Sequence, residues 1–165
     1  MDFNEWAKAV PLVIREDVLW RLTAYRAALF IADLGWEDVT CLAKDRRSRA
    51  IADQLYRALC GISPNIAEGY SRGSGKDRAR FYEYSLGSVR ESIDWYFKSR
   101  HVLTVEVAEH RIGVLIHIRR LLLTMVPQQR ASMVREERSV YSENASSEFD
   151  HELAAMLETI PMPPA

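Results

Sequence analysis

A few clusters in this chain have the residue types and spacing for chemistry. Asn65 and Glu68 stand three apart beside the apolar Ile62 and Ile66, a spacing that sets an amide and a carboxylate on one helix face. Such a pair can hydrogen-bond to a neighbouring helix and set its register, or it can line a polar groove. With no second titrating partner it supplies no acid–base couple. His110 and His117 are seven apart with Glu106 and Glu109 close by, so both imidazoles share a face. No matching Glu-x-x-His pattern recurs on two helices, as a di-iron bundle requires, and neither a metal nor a cofactor is expected. No Ser-His-Asp set, thiol–imidazole pair or dinucleotide fingerprint is present. The expectation is a protein that is not an enzyme.

Two basic clusters point instead to an anionic partner. Arg46, Arg47 and Arg49 crowd the entrance of a helix, where the dipole disfavours positive charge. Arg72, Lys76, Arg78 and Arg80 flank a Ser- and Gly-rich loop, residues 71–76, that opens the next helix. The loop is not a phosphate-binding P-loop: Gly69 and Gly75 have the wrong spacing, Asp77 stands where Ser or Thr is needed, and no strand leads in. Ser74 with Asp77 instead reads as a helix-capping start. Backbone donors there, beside these cations, can still take a phosphate. Together the seven residues are the candidate nucleic-acid contacts, for RNA or DNA.

The elements that must position them follow from periodicity. Val18, Leu22, Tyr25, Leu29, Ala32 and Trp36 recur at spacings of four and three, with Ile31, Leu34, Val39 and Leu42 widening the stripe toward its end, and predict a first long helix from Glu16–Asp17 to about residue 43. Ile51, Leu55, Ala58, Leu59, Ile62 and Ile66 make the inner side of a second. Its Pro64 predicts a kink, or a restart with Ser63 as cap, and Gly69 is expected at its end with positive φ. Tyr82, Leu86, Val89, Ile93 and Tyr96 line a third helix, where Gly87 and Ser88 suit a tight crossing. Val107, Val114, Leu115, Ile118, Leu121, Leu122, Leu123 and Met125 line a fourth, running from about Val105 to Val126, where Pro127 ends it. Arg111, Arg119 and Arg120 read as surface or subunit-contact charges.

These spans make an all-α, up-down antiparallel four-helix bundle over residues 16–127. Residues 1–15, with Trp6, Val10 and Pro11, predict a loose N-terminal arm. Residues 128–165 form a flexible acidic tail with a short amphipathic helix near 148–158 that docks when it orders. Residues 1–130 carry a net charge of +4 and residues 131–165 of −5, so the tail can compete with nucleic acid for the basic body. Composition, 48% hydrophobic and 27% charged over 165 residues, suits one globular domain. Cys41 and Cys60 lie too far apart for a redox or zinc motif. No apolar run reaches the roughly 20 residues of a membrane span, and the expected setting is cytoplasmic.

Asn65-Ile66-Ala67-Glu68-Gly69, followed by Arg72, Phe81 to Tyr84, Leu86-Gly87-Ser88 and Glu91, resembles the small four-helix-bundle family that includes proteins encoded in ribosomal-RNA intervening sequences. The likeness spans about residues 18–125. It implies a non-enzymatic up-down bundle and a homo-oligomer, with pentameric rings among relatives. Asn65, Glu68, Gly69, Gly87 and Ser88 are then structural motif positions. A more distant likeness, to the accessory protein of diversity-generating retroelements, implies a reverse transcriptase or another protein as partner, but that branch lacks the Asn-Ile-Ala-Glu-Gly run. The chain departs from the first family at Lys44 to Arg49, where a Phe-Pro element and a Glu-x-Tyr-Gly-Leu stretch are usual. The expected function is an oligomeric module that binds RNA or a nucleoprotein partner, or alternatively an adaptor between proteins.

Overall fold

A computed structural model of the chain describes residues 2–131 and 153–164. Every regular element among them is helical. The chain opens with α1 (Phe3–Ala9), whose start is a reciprocal cap: the Asp2 carboxylate accepts from Glu5 N, and the Glu5 carboxylate accepts from Asp2 N. Pro11 leads into the short α2 (Leu12–Arg15), and a 3₁₀ turn (Val18–Arg21) follows, capped by Asp17 Oδ1 accepting from Leu19 N at 2.8 Å. The expected loose arm is thus two helices anchored by Trp6. That ring is buried against Phe3, Trp20 and Phe30, and its Nε1 donates to Asp33 Oδ2 at 2.5 Å. A tryptophan buries about 150–250 Å², enough to hold so short a segment down.

Four long helices follow: α3 (Thr23–Lys44), α4 (Arg49–Tyr70), α5 (Gly75–Leu103) and α6 (Val105–Ala131). Successive helices pack on one another, and α3 also meets α6. The connections are short. Between α5 and α6 it is Thr104 alone, at φ 81°, with its hydroxyl accepting from Val107 N at 3.3 Å. Phe30, Ile31, Leu55, Leu59, Ile62 and Ile118 sit at the centre of the core. No helix among the described residues is long and apolar enough to cross a membrane.

Several local expectations are corrected. The first long helix starts at Thr23, because Asp17 is engaged in capping the 3₁₀ turn. Its buried face is Ala24, Ala27, Ile31, Leu34, Asp38 and Leu42, which leaves Trp36 58% exposed against Tyr56. Ile31, Leu34 and Leu42 of the predicted stripe are buried and Leu22, Tyr25 and Leu29 are half-buried against the same core, so the seam is turned part-way round the helix from the stripe, toward Ala24, Ala27 and Asp38. Helix α4 runs through Pro64 without restarting, and Ser63 is buried inside it. Pro64 and Cys60, four residues earlier, both lie on the exposed side, where water can serve the carbonyl that lost its donor. Asn65 Nδ2 adds a bond to Gly61 O at 2.7 Å. Pro127 likewise does not end α6, since it and Leu123 both face solvent.

Among the motif positions, Asn65 and Glu68 do not bridge to another helix. Asn65 bonds within α4, and Glu68 pairs with Arg72 one turn on. Gly69 has helical φ and lies buried inside α4; a Cβ there would sit 2.8 Å from Tyr82 Cε1, so its role is to admit that ring. Gly87 is open, with nothing within 4 Å of a Cβ. The tight approach is made by Gly61, whose Cβ would lie 2.9 Å from Ser88 Oγ.

The last described segment is a short helix, α7 (residues 153–158), with an extended run to residue 164. Leu153 and Leu157 are buried, the Met156 sulfur lies against Gly113, and the Pro164 carbonyl accepts from Cys41 Sγ at 3.3 Å. Part of the expected tail helix is thereby observed, docked on the chain's own body. Residues 128–131 belong to α6, and the acidic stretch expected to be flexible, 132–152, lies outside the described residues.

Candidate nucleic-acid interface

The seven cations predicted from sequence do not form one surface. Arg46 and Arg47 precede α4 and Arg49 opens it, whereas Arg72, Lys76, Arg78 and Arg80 follow its far end. A helix of 22 residues separates the groups by about 33 Å at 1.5 Å per residue.

The connector cations are largely engaged locally. Arg47 forks onto Asp45, with Nε at 3.0 Å from Oδ1 and Nη2 at 2.6 Å from Oδ2, while Arg47 N also donates to Asp45 Oδ1 at 2.9 Å. Those bonds hold the Asp45 carboxyl at about 2. Arg49 Nε donates to Ala43 O at 3.1 Å, serving a carbonyl at the end of α3, as cations near helix C-termini do. The positive crowding that suggested an anionic partner is therefore balanced by the end of the preceding helix. Arg46 remains exposed beside a cleft lined by Cys41, Lys44 and Pro164.

At the α4–α5 end the cations are interleaved with aromatics. Ser74 caps α5, accepting from Asp77 N at 3.1 Å and donating to Asp77 Oδ2 at 2.7 Å. Arg78 bonds back to the loop, Nε to Arg72 O at 2.8 Å, and reaches Gln129 Oε1 of α6 at 3.2 Å. The Arg72 guanidinium lies 4.6 Å over the Phe81 ring, and that of Arg80 lies 5.6 Å over Tyr84 while Nε donates to its hydroxyl at 2.6 Å. Phe81 and Tyr84 meet edge to face at 5.7 Å. Beside them a cleft of about 580 Å³ is lined by Ser74, Lys76, Asp77, Arg80, Glu83 and Arg130, with Arg130 paired to Glu83. Arginine stacked on an exposed ring offers a phosphate contact and a π-face in one place, the combination that single strands use.

Gly69 and Tyr82 bring the end of α4 and the start of α5 together here, and Gln129 and Arg130 reach in from α6. A family model described as 23S rRNA-intervening sequence protein matches residues 21–123. The chain belongs to that family. The 23S rRNA-intervening sequence protein match takes in α3, α4, α5 and α6 as far as Leu123, and leaves α1, α2 and the docked C-terminal segment as additions around it. No match was found among curated proteins or among solved structures.

Within the span matched by the intervening sequence protein family lies a polar cluster that periodicity did not find. Asp38 and Arg111 are fully buried, and Asp38 Oδ2 also accepts from the Tyr96 hydroxyl at 2.8 Å. Burial first, then the Asp38 charge, pushes the Tyr96 hydroxyl well above its ordinary value. Arg111, expected at the surface, is drawn inside because its guanidinium has this carboxylate to meet. The one sequence signal was Asp38 standing on the apolar side of α3. Both ring nitrogens of His110 are taken by Arg111 and Met156, which leaves no lone pair for the metal pairing with His117.

Proposed function

We propose that this protein is a non-enzymatic, homo-oligomeric four-helix bundle that binds RNA at the α4–α5 end. The reading is carried by the pairing of exposed cations with ring faces there, Arg72 on Phe81 and Arg80 on Tyr84, with exposed Lys76 lining the same cleft as Arg80. Short connections between four long helices support the up-down topology, since they leave antiparallel packing as the simple arrangement. Of the connector cations, Arg47 and Arg49 are already committed to Asp45 and the Ala43 carbonyl and contribute less. Binding through a handful of phosphates should fall with a log–log salt slope of about −0.7 to −0.9 per contact. Light scattering coupled to size exclusion, with and without a structured RNA at low and moderate salt, tests this. The expected result is a discrete oligomer that takes up RNA at low salt only. An oligomer indifferent to RNA at every salt would overturn the RNA reading, and a monomer would overturn the assembly.

A second reading, an adaptor between proteins such as an accessory subunit of a reverse transcriptase, is favoured by a different surface. Leu12 and Val13 of α2 are exposed beside an apolar cleft of Val10, Pro11, Ile14 and Leu29, and Trp36 lies exposed farther along α3. Charge reversal at the α4–α5 end would leave an adaptor's partner binding unchanged, whereas substitution of Leu12 and Val13 by serine would abolish it.

A further inference from the structure

His110 stands between the core and the C-terminal segment. Its Nδ1 lies 2.9 Å from Nη1 of Arg111, and its Nε2 lies 2.7 Å from the carbonyl oxygen of Met156. A guanidinium can only donate and a carbonyl can only accept. The ring is therefore neutral, with its proton on Nε2 and directed at Met156. Arg111 has no freedom to turn away: it is fully buried, with Nε and Nη2 donating to the two Asp38 oxygens at 2.9 and 3.2 Å. Asp38 is held in turn by Tyr96. The core thus sets the tautomer of His110, and the tautomer presents a donor to the segment.

The rest of the seat is small. Leu153 and Leu157 are buried near the α1–α3 corner, the Met156 sulfur rests on Gly113 of α6, and Pro164 receives the Cys41 thiol. A helix of this length has no stability of its own, so the contacts that seat it also decide whether it forms.

We propose that residues 153–164 are a releasable latch across the α3–α6 side of the protein, seated only while His110 is neutral, so that protonation of the ring releases them. A second proton would go on Nδ1 and face the N–H of Arg111, donor against donor and cation against cation. Since Asp38 fixes Arg111, the ring has to swing, and the bond to Met156 breaks. Among the described residues, the charged and titratable groups around the ring are Arg111 from α6, Asp38 from α3 and, behind it, Tyr96 from α5. The segment itself offers the ring a carbonyl, while its Glu158 lines the separate cleft with Asp2 and Arg26. Burial, and then Arg111, hold the ring's pKa below its ordinary value against the opposing pull of Met156 and Asp38. Because the ring must be neutral for the segment to sit, seating is at full strength while His110 is unprotonated and weakens as pH falls through the range in which the ring takes up its proton, by up to about tenfold per pH unit for one proton.

Methyl NMR of Met156 in the full chain, from about pH 8 to about pH 5 across the histidine range, tests the latch. The Met156→Leu variant assigns the signal, and the Leu153→Ala, Leu157→Ala double variant supplies the shift of the released segment at every pH. The expected result is a methyl that moves from its packed shift to the released one as pH falls, in step with the His110 ring protons. In His110→Gln, whose amide offers an acceptor and a donor but no titration, the packed shift should persist throughout. A methyl that stays packed while the ring titrates would overturn the proposal, as would an unchanged pH response in His110→Gln. Loss of the far-ultraviolet helical signal over the same range would also overturn it, because the body and not the latch would then be responding.

Discussion

Asp38 of α3 and Arg111 of α6 meet as a fully buried ion pair, Nε to Oδ2 at 2.9 Å and Nη2 to Oδ1 at 3.2 Å. The pair ties together two helices that share less contact than their neighbours do, and it seats Tyr96 and His110 around it. Removing one partner strands the other charge in the core. Arg111→Met should therefore cost about 3–5 kcal/mol in urea unfolding. The Asp38→Leu, Arg111→Met double variant should cost clearly less than the two single losses combined. Additive losses would show that the two groups do not depend on each other.

Two glycines of the motif should respond in opposite directions. At Gly69 a new Cβ would lie 2.8 and 2.9 Å from the Tyr82 ring and 3.0 Å from Phe81 Cβ, and Gly69→Ala should destabilise by about 1–3 kcal/mol. At Gly87 there is open space, so Gly87→Ala should stabilise by about 0.5–1 kcal/mol through helix propensity. Thermal melts of the two variants decide it; a loss at Gly87 would place an unseen neighbour on that face, such as another subunit.

Nucleic-acid affinity should separate the two basic clusters. Tyr84→Ala should weaken RNA binding by roughly 1–3 kcal/mol, the usual worth of one stacked base, and Arg80→Ala should lower both the affinity and the salt slope. Arg47→Ala, at the other end of α4, should leave the affinity within a factor of about two, since exposed pairs such as Arg47 with Asp45 contribute little elsewhere. Equal losses from Arg47→Ala and Arg80→Ala in a fluorescence-anisotropy titration would contradict this assignment.

The Asp45 carboxyl should titrate at about 2, below the ordinary 3.8, because Arg47 hydrogen-bonds to it. The sign follows: the bond favours the ionised form, so its contribution is complete above the ordinary value and is lost as pH falls through the lowered one. Carboxyl carbon NMR of the wild type and of Arg47→Ala provides the check. The variant should return most of the way to the ordinary value, and an unmoved titration would show that another group holds Asp45.

Much of this protein was determined by its sequence alone. The inner positions of α4 and α5, Leu55, Leu59, Ile62, Tyr82, Leu86 and Tyr96 among them, are legible because a 3.6-residue period and burial are one constraint on an amphipathic helix. The Ser74 cap is legible because capping is local, and the likeness to the family was legible because it rests on a short contiguous run, Asn-Ile-Ala-Glu-Gly. What only the tertiary structure decided depends on partners distant in sequence. Pro64 and Pro127 stay inside helices because their freed carbonyls face water, which no local rule reports. Gly69 answers to Tyr82 and Gly61 to Ser88, so the glycine that mattered could be named only once the ring or hydroxyl opposite it was known. Trp6, alone in an aperiodic stretch, becomes core because Phe30 and Asp33 lie above it. Arg111 reads as a surface charge until Asp38 arrives from another helix. A charge is placed in or out of a core by what it meets there, and that meeting is a property of the fold.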